Sequence, residues 1–101
     1  MQKLIAGNWK MNGRLGDLDA VAAIAGAASA YPSVDTALCL PATLIAPAAA
    51  RVPGYAIGAQ DCHMAVSGAH TGCLSGAMLK EAGASLTIVG HSERRAARRI
   101  S

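Results

Sequence analysis

Residues 36–59 read TALCLPATLIAPAAARVPGYAIGA, an apolar stretch divided by turn-forming residues. It contains two short apolar runs, residues 36–40 and 55–59, separated by an alanine-rich segment at residues 44–50. Pro41 ends the first run. Short apolar runs bounded by Pro and Gly are typical of buried strands, whereas a longer alanine-rich segment favours a helix. The stretch therefore predicts a strand–helix–strand unit.

The same alternation continues on both sides of this unit. The predicted elements are, in chain order, a buried strand at residues 4–6, a helix at 17–30 with Asp17 as N-cap, the central unit, a loop at 60–72, a helix capped by Ser75 and Gly83, a strand at 86–89, and a helix that begins near Ser92. Strands that alternate with helices predict right-handed crossovers and a parallel sheet, hence the α/β class. A parallel sheet must be covered on both faces or closed into a barrel, so these elements describe an incomplete sheet.

Composition limits the class of protein. The chain has 101 residues, of which 52% are hydrophobic and 15% charged. This length predicts one domain, residues 1–101, and the hydrophobic content excludes a disordered chain. No apolar run approaches the roughly 18 residues of a membrane span, and the N-terminus lacks a signal peptide, so we expect a cytoplasmic protein. Three cysteines cannot all pair, in agreement with a reducing compartment.

The net charge of +3 comes from an arginine-rich end. The residues concerned are Arg94, Arg95, Arg98 and Arg99. A basic end can mark a nucleic-acid-binding module, but no aromatic residues interleave for base stacking. A solvated helix face is the simpler interpretation, and we predict no nucleic-acid partner and no membrane partner.

Two polar clusters follow predicted strands. Asn8 and Lys10 come after the first strand, and His91, Ser92 and Glu93 come after the fourth. Taken alone, each is more often a structural or surface residue. However, carboxyl ends of parallel strands meet at one edge of a sheet, where ligands bind in α/β folds. The shared edge therefore favours a ligand-binding site over separate structural or surface residues.

The chemistry of these residues suits an anionic substrate. Lys10 offers a positive charge, and Asn8 offers an amide donor. His91 precedes a predicted helix, whose positive end disfavours protonation of the imidazole. Ser92 would cap that helix, and Glu93 could pair with Lys10 or with an arginine.

Other motifs give no support for a cofactor or a metal. The chain contains neither a Walker A sequence nor a G-x-G-x-x-G sequence. Cys62, His63, His70 and Cys73 match no common zinc spacing. We therefore predict no metal and no organic cofactor.

Five segments together resemble the triosephosphate isomerase family. They are AGNWKMNG at 6–13, GAQD at 58–61, TG at 71–72, LSGAMLKEAGA at 74–84 and VGHSERR at 89–95. The resemblance implies a TIM (β/α)8 barrel of about 250 residues. This chain would supply strands 1–4, helices 1–3 and the start of helix 4.

The resemblance also implies a function for the site. The family interconverts dihydroxyacetone phosphate and D-glyceraldehyde 3-phosphate by proton transfer, without a cofactor. Its neutral histidine is a long-standing example of pKa tuning, and His91 matches it. By the same resemblance, Asn8 and Lys10 bind substrate, Lys10 also acts in catalysis, and Ser92 and Glu93 support them.

A homodimer is the further partner that the resemblance implies. In the family, the loop containing Thr71, Gly72 and Cys73 reaches into the partner subunit. Cys73 stands where the family usually has Glu, which removes a charge from that contact. Two hypotheses remain open. The chain is either the N-terminal portion of an isomerase or a non-catalytic half-barrel that self-associates or pairs with a complementary C-terminal fragment.

The 101-residue chain on its own is expected to have no isomerase activity. The family's general base belongs to a later strand of the barrel, and proton transfer by a positioned base is typically worth roughly 10²–10⁴ in rate. A coupled assay with glyceraldehyde 3-phosphate measures this, with a complete isomerase as the control. Turnover near that of the complete enzyme would contradict the expectation.

Overall fold

Four strands alternate with three α-helices in the computed structural model, which describes residues 3–89. The elements are β1 (Lys3–Asn8), a 3₁₀ turn (Leu15–Asp17), α1 (Leu18–Ala28), β2 (Val34–Leu40), α2 (Ala42–Arg51), β3 (Ala56–Ala59), α3 (Gly76–Ala82) and β4 (Leu86–Thr87). All seven strands and helices predicted before residue 90 are present, in the predicted order. The predicted fourth helix, near Ser92, lies outside the described residues.

The strands form one parallel sheet in the order β1-β2-β3-β4, which confirms the predicted α/β architecture. Asn8 pairs with Cys39, and Leu40 pairs with Ala59. The carboxyl ends of the first three strands therefore lie side by side. β4 is shorter than the predicted strand at 86–89, but the backbone N–H of Ile88 still donates to the carbonyl of Ala59 at 3.0 Å.

The helix ends follow local capping chemistry. Ser75 caps α3 as predicted, because its Oγ accepts a hydrogen bond from the backbone N–H of Met78 at 3.2 Å. Asp17 occupies the N-cap position of α1, but its side chain does not cap that helix. Instead, its Oδ2 accepts from the backbone N–H of Arg14 at 2.8 Å and closes the 3₁₀ turn. The predicted helix at 17–30 is accordingly shorter at both ends.

The hydrophobic core lies between the sheet and the helices. Its buried members are Val21, Leu38, Leu40, Leu44, Ile45, Ala48, Ile57, Ala59 and Leu79. The core joins β2 and β3 to all three helices, with α2 at its centre. Within the described part of the chain, no helix is both long and apolar enough to cross a membrane.

The first strand is not buried, contrary to the prediction from sequence. Leu4 and Ile5 are 57% and 59% exposed in this chain. β1 is an edge strand of the described sheet and pairs with β2 alone. Apolar strands in a parallel sheet are buried only where the sheet is covered on both faces. The core of the described part of the chain covers β2 and β3.

Gly83→Ala is expected to destabilise the protein more than Gly54→Ala. Both glycines have a positive φ, +116° and +86°, which costs a side-chain-bearing residue about 1–2 kcal/mol. Only at Gly83 would the new Cβ meet a neighbour, Ala49 Cβ at 2.5 Å, and overpacking adds about 1–3 kcal/mol.

Denaturant unfolding of the two variants measures this difference. Gly54 is the matched control, because nothing lies within 4 Å of its added Cβ. Equal losses of unfolding free energy in the two variants would mean that the close approach of α2 to the end of α3 does not contribute to the destabilisation by Gly83→Ala.

Candidate functional site

The carboxyl edge of the sheet borders a cavity of about 470 Å³. Its lining combines polar and charged residues with a larger number of apolar ones. The lining consists of Asn8, Lys10, Met11, Ala42, Ile45, Ala59, Gln60, Asp61, Gly72, Cys73, Leu74 and Leu79. A mostly apolar cleft with a few convergent polar groups is the usual form of a small-molecule site.

Asn8 and Lys10 lie together at this edge, as the sequence predicted. Asn8 is the last residue of β1, and its Oδ1 accepts a hydrogen bond from the backbone N–H of Lys10 at 2.8 Å. Among the described residues, Lys10 is the one non-glycine residue with a positive φ, +54°. This left-handed conformation costs a lysine about 1–3 kcal/mol, and such strain is concentrated at functional sites.

Gln60 is a member of the site that the sequence interpretation left in a loop. It follows β3 directly, at the same edge of the sheet. Its Nε2 donates to the backbone carbonyl of Lys10 at 2.7 Å and lies 3.3 Å from Asn8 Oδ1. The signal in the sequence is its position at the carboxyl end of a strand, the same signal that identified Asn8 and Lys10.

The segment predicted as a dimer contact lies partly on this cavity. Gly72 and Cys73 line it together with Lys10, whereas Thr71 is exposed and outside the lining. A turn holds the segment, since the backbone N–H of Cys73 donates to the carbonyl of His70 at 2.9 Å. Cys73 therefore borders the same cavity as Lys10.

His91, Ser92 and Glu93 lie outside the described residues. In sequence they follow Val89, the last residue that the structure describes. β4 runs parallel to β3, so its carboxyl end points to the edge that carries Asn8 and Lys10. The three residues stay predictions.

Residues 3–89 hold no group of three His, Cys, Asp or Glu side chains that could bind a metal ion. The His63 and His70 rings stack instead, with centroids 3.9 Å apart. Nδ1 of His63 accepts a hydrogen bond from the backbone N–H of Ala65 at 2.9 Å, which occupies one of its two possible ligand atoms.

A larger groove, of about 740 Å³, lies at the opposite edge of the sheet. It is bordered by the amino ends of the strands and by the end of α1, and Asp35 is the acidic residue in its lining. In parallel α/β folds ligands bind at the carboxyl edge, and the smaller cavity, unlike this groove, has a lysine in its lining. We therefore place the candidate site at the smaller cavity.

Comparison with known proteins shows similarity over nearly the whole chain. The family model described as triosephosphate isomerase matches residues 3–99. Triosephosphate isomerase from Ruegeria pomeroyi is 58% identical over 97 residues, which cover 94% of this chain and 38% of the relative. The enzyme of the same name from Afipia carboxidovorans is 56% identical over 98 residues, which cover 94% of this chain and 39% of the relative.

A solved structure agrees with this similarity. The crystal structure of triosephosphate isomerase from Bartonella henselae superimposes with a TM-score of 0.93 at 44% identity, covering 100% of this chain and 43% of that one. The chain thus spans about two fifths of the length of the curated relatives it matches. The predicted fold is confirmed: the four-stranded sheet corresponds to the N-terminal portion of a TIM barrel.

Thiol labelling of the folded 101-residue chain is expected to modify Cys62 and Cys73 quickly and Cys39 only after denaturation. Cys39 is fully buried, and burial raises the pKa of its thiol above the usual value. The thiolate is the reactive form, so both effects slow the reaction. Cys62 and Cys73 are partly exposed.

An aromatic disulfide reagent at pH 8 counts the reactive thiols. Cys39→Ala is the control and should leave the rapid phase unchanged, while Cys73→Ser should remove one thiol from it. Rapid loss of three thiols from the folded chain would be incompatible with the buried Cys39.

Proposed function

The chain belongs to the triosephosphate isomerase family, and on this premise we propose the function of the complete protein. It interconverts dihydroxyacetone phosphate and D-glyceraldehyde 3-phosphate by proton transfer. This chain supplies the Asn8, Lys10 and His91 part of the site. The observation that carries the proposal is the placement of Asn8 and Lys10, bound to each other, at the cavity on the carboxyl edge of the sheet.

Lys10 suits the phosphate of a triose phosphate. An ammonium group is a compact point charge that binds phosphate oxygens from a range of directions. Lys10 is exposed to solvent and lines the cavity, so an incoming phosphate group can reach its side chain. Lys10 thus acts by binding the substrate and by stabilising negative charge on its oxygens.

Asn8 and His91 complete the part of the site that we assign to this chain. One lone pair of the Asn8 amide oxygen is used by the Lys10 backbone, which fixes the amide plane beside the cavity. We assign His91 the task of polarising the substrate carbonyl, and Ser92 and Glu93 supporting tasks beside it. The proton is taken by a carboxylate from another part of the complete barrel.

We also propose that the complete protein is a homodimer that forms through the loop after β3. Met64 and Val66 in this loop are 94% and 77% exposed, and a partner would cover them. Cys73 and its neighbours Thr71 and Gly72 belong to the same loop. A reducing, cytoplasmic compartment fits the three cysteines, all of which are free thiols.

The test is a chimera in which residues 3–99 replace the matching segment of the Ruegeria pomeroyi relative. We expect this chimera to have isomerase activity, because the two segments are 58% identical. Lys10→Met should lower its kcat/KM at least roughly tenfold. A hydrogen bond to a charged group is worth about 1.5–3 kcal/mol, and 1.36 kcal/mol is tenfold in rate.

Lys80→Met is the matched control. Lys80 is exposed in the last turn of α3, so its loss removes the same charge and the same side-chain length away from the cavity. Its kcat/KM should stay within about twofold of the unsubstituted chimera, since exposed charges at a distance are screened by salt. Equal losses in the two variants, or an inactive but folded chimera, would contradict the proposed function.

A further inference from the structure

We propose that Gln60 is the positioning residue for Lys10. Its side-chain amide holds the Lys10 backbone in the left-handed conformation that places the lysine on the cavity. The inference deepens the proposed function and rests on it, because it explains how the substrate-binding ammonium is held in place.

Both backbone polar groups of Lys10 are bound by side chains. Its N–H donates to Asn8 Oδ1 at 2.8 Å, and its carbonyl accepts from Gln60 Nε2 at 2.7 Å. A lysine does not adopt a φ of +54° without support from its surroundings, since the left-handed region is unfavourable for residues with a Cβ. These two hydrogen bonds, one on each side of the residue, supply that support.

Gln60 is itself well anchored for this task. It follows Ala59, which is buried at the end of β3 and pairs with Leu40 of β2. Its Nε2 also lies 3.3 Å from Asn8 Oδ1 and 3.5 Å from the carbonyl of Cys39. One amide group thus connects the carboxyl ends of β1, β2 and β3.

The chemistry requires a donor at position 60. The three atoms that face Nε2 are all oxygen acceptors, two carbonyls and one amide oxygen. A leucine of similar size cannot donate, and an ionised glutamate is an acceptor only and would oppose those oxygens. Either substitution leaves the Lys10 carbonyl without this donor and lets the strained backbone relax.

The experiment is steady-state kinetics of Gln60→Leu and Gln60→Glu in the chimera described above, with inorganic phosphate as a competitive inhibitor. A displaced Lys10 weakens binding of the phosphate group, so KM for glyceraldehyde 3-phosphate and the inhibition constant of phosphate should both rise about tenfold or more. kcat should fall by a smaller factor. Gln60→Glu should be at least as impaired as Gln60→Leu.

Tyr55→Phe is the matched control for a purely structural effect. It removes one partly buried hydrogen bond, between the Tyr55 hydroxyl and Thr36 Oγ1 at 2.8 Å, at the opposite edge of the sheet. We expect it to lower the thermal midpoint comparably to Gln60→Leu while KM and the phosphate inhibition constant stay within twofold. Unchanged binding constants in Gln60→Leu, or the same changes in Tyr55→Phe, would overturn the proposal.

Hydrogen–deuterium exchange separates this inference from the proposed function. In the folded chimera, the Lys10 amide should exchange at least tenfold faster in Gln60→Leu than in Tyr55→Phe, whether or not the protein is active. An inactive chimera with that exchange pattern would contradict the proposed function and support the positioning role. Unchanged exchange at Lys10 would refute the positioning role, even in an active chimera.

Discussion

Parallel pairing of the first three strands is the constraint on which the candidate site depends. Asn8 is level with Cys39 of β2, and Leu40 is level with Ala59 of β3, so the residues that follow each strand emerge at one edge. Lys10 and Gln60 are 50 residues apart in the chain, yet they form a hydrogen bond of 2.7 Å. A shift of one residue in either pairing would turn the side chains to the other face and separate these groups.

The rigidity of this edge comes from the core beneath it. α2 packs Leu44, Ile45 and Ala48 against the sheet, all of them 0–1% exposed. The strands that carry Cys39 and Ala59 are therefore fixed in position, and the loops after them can hold a strained residue. Strain at Lys10 persists only where its neighbours determine the backbone, and here the neighbours are side chains of Asn8 and Gln60.

The exposed first strand agrees with the family to which the chain belongs. Leu4 and Ile5 are apolar residues of an edge strand, and an uncovered edge with unpaired backbone groups favours pairing with another strand. In a closed (β/α)8 barrel every strand has two neighbours and the interior is filled with side chains. The sequence predicted burial for these residues because apolar runs of this kind belong to covered sheets.

Sequence alone determined the order of strands and helices, the parallel sheet, the Ser75 cap and the glycine that ends α3. These features follow from the period of apolar residues and from local chemistry, which act within a few residues of each other. The placement of Asn8 and Lys10 at the carboxyl edge of the sheet also followed, since both come at or just after the end of the first strand. Tertiary structure alone decided that Lys10 has a left-handed backbone, that Gln60 binds it, and that Asp17 closes a turn rather than capping α1. The first two of these depend on contacts between strands that are distant in sequence. The third depends on which of two nearby backbone groups the Asp17 carboxylate binds, and the periodicity of apolar residues does not encode that choice.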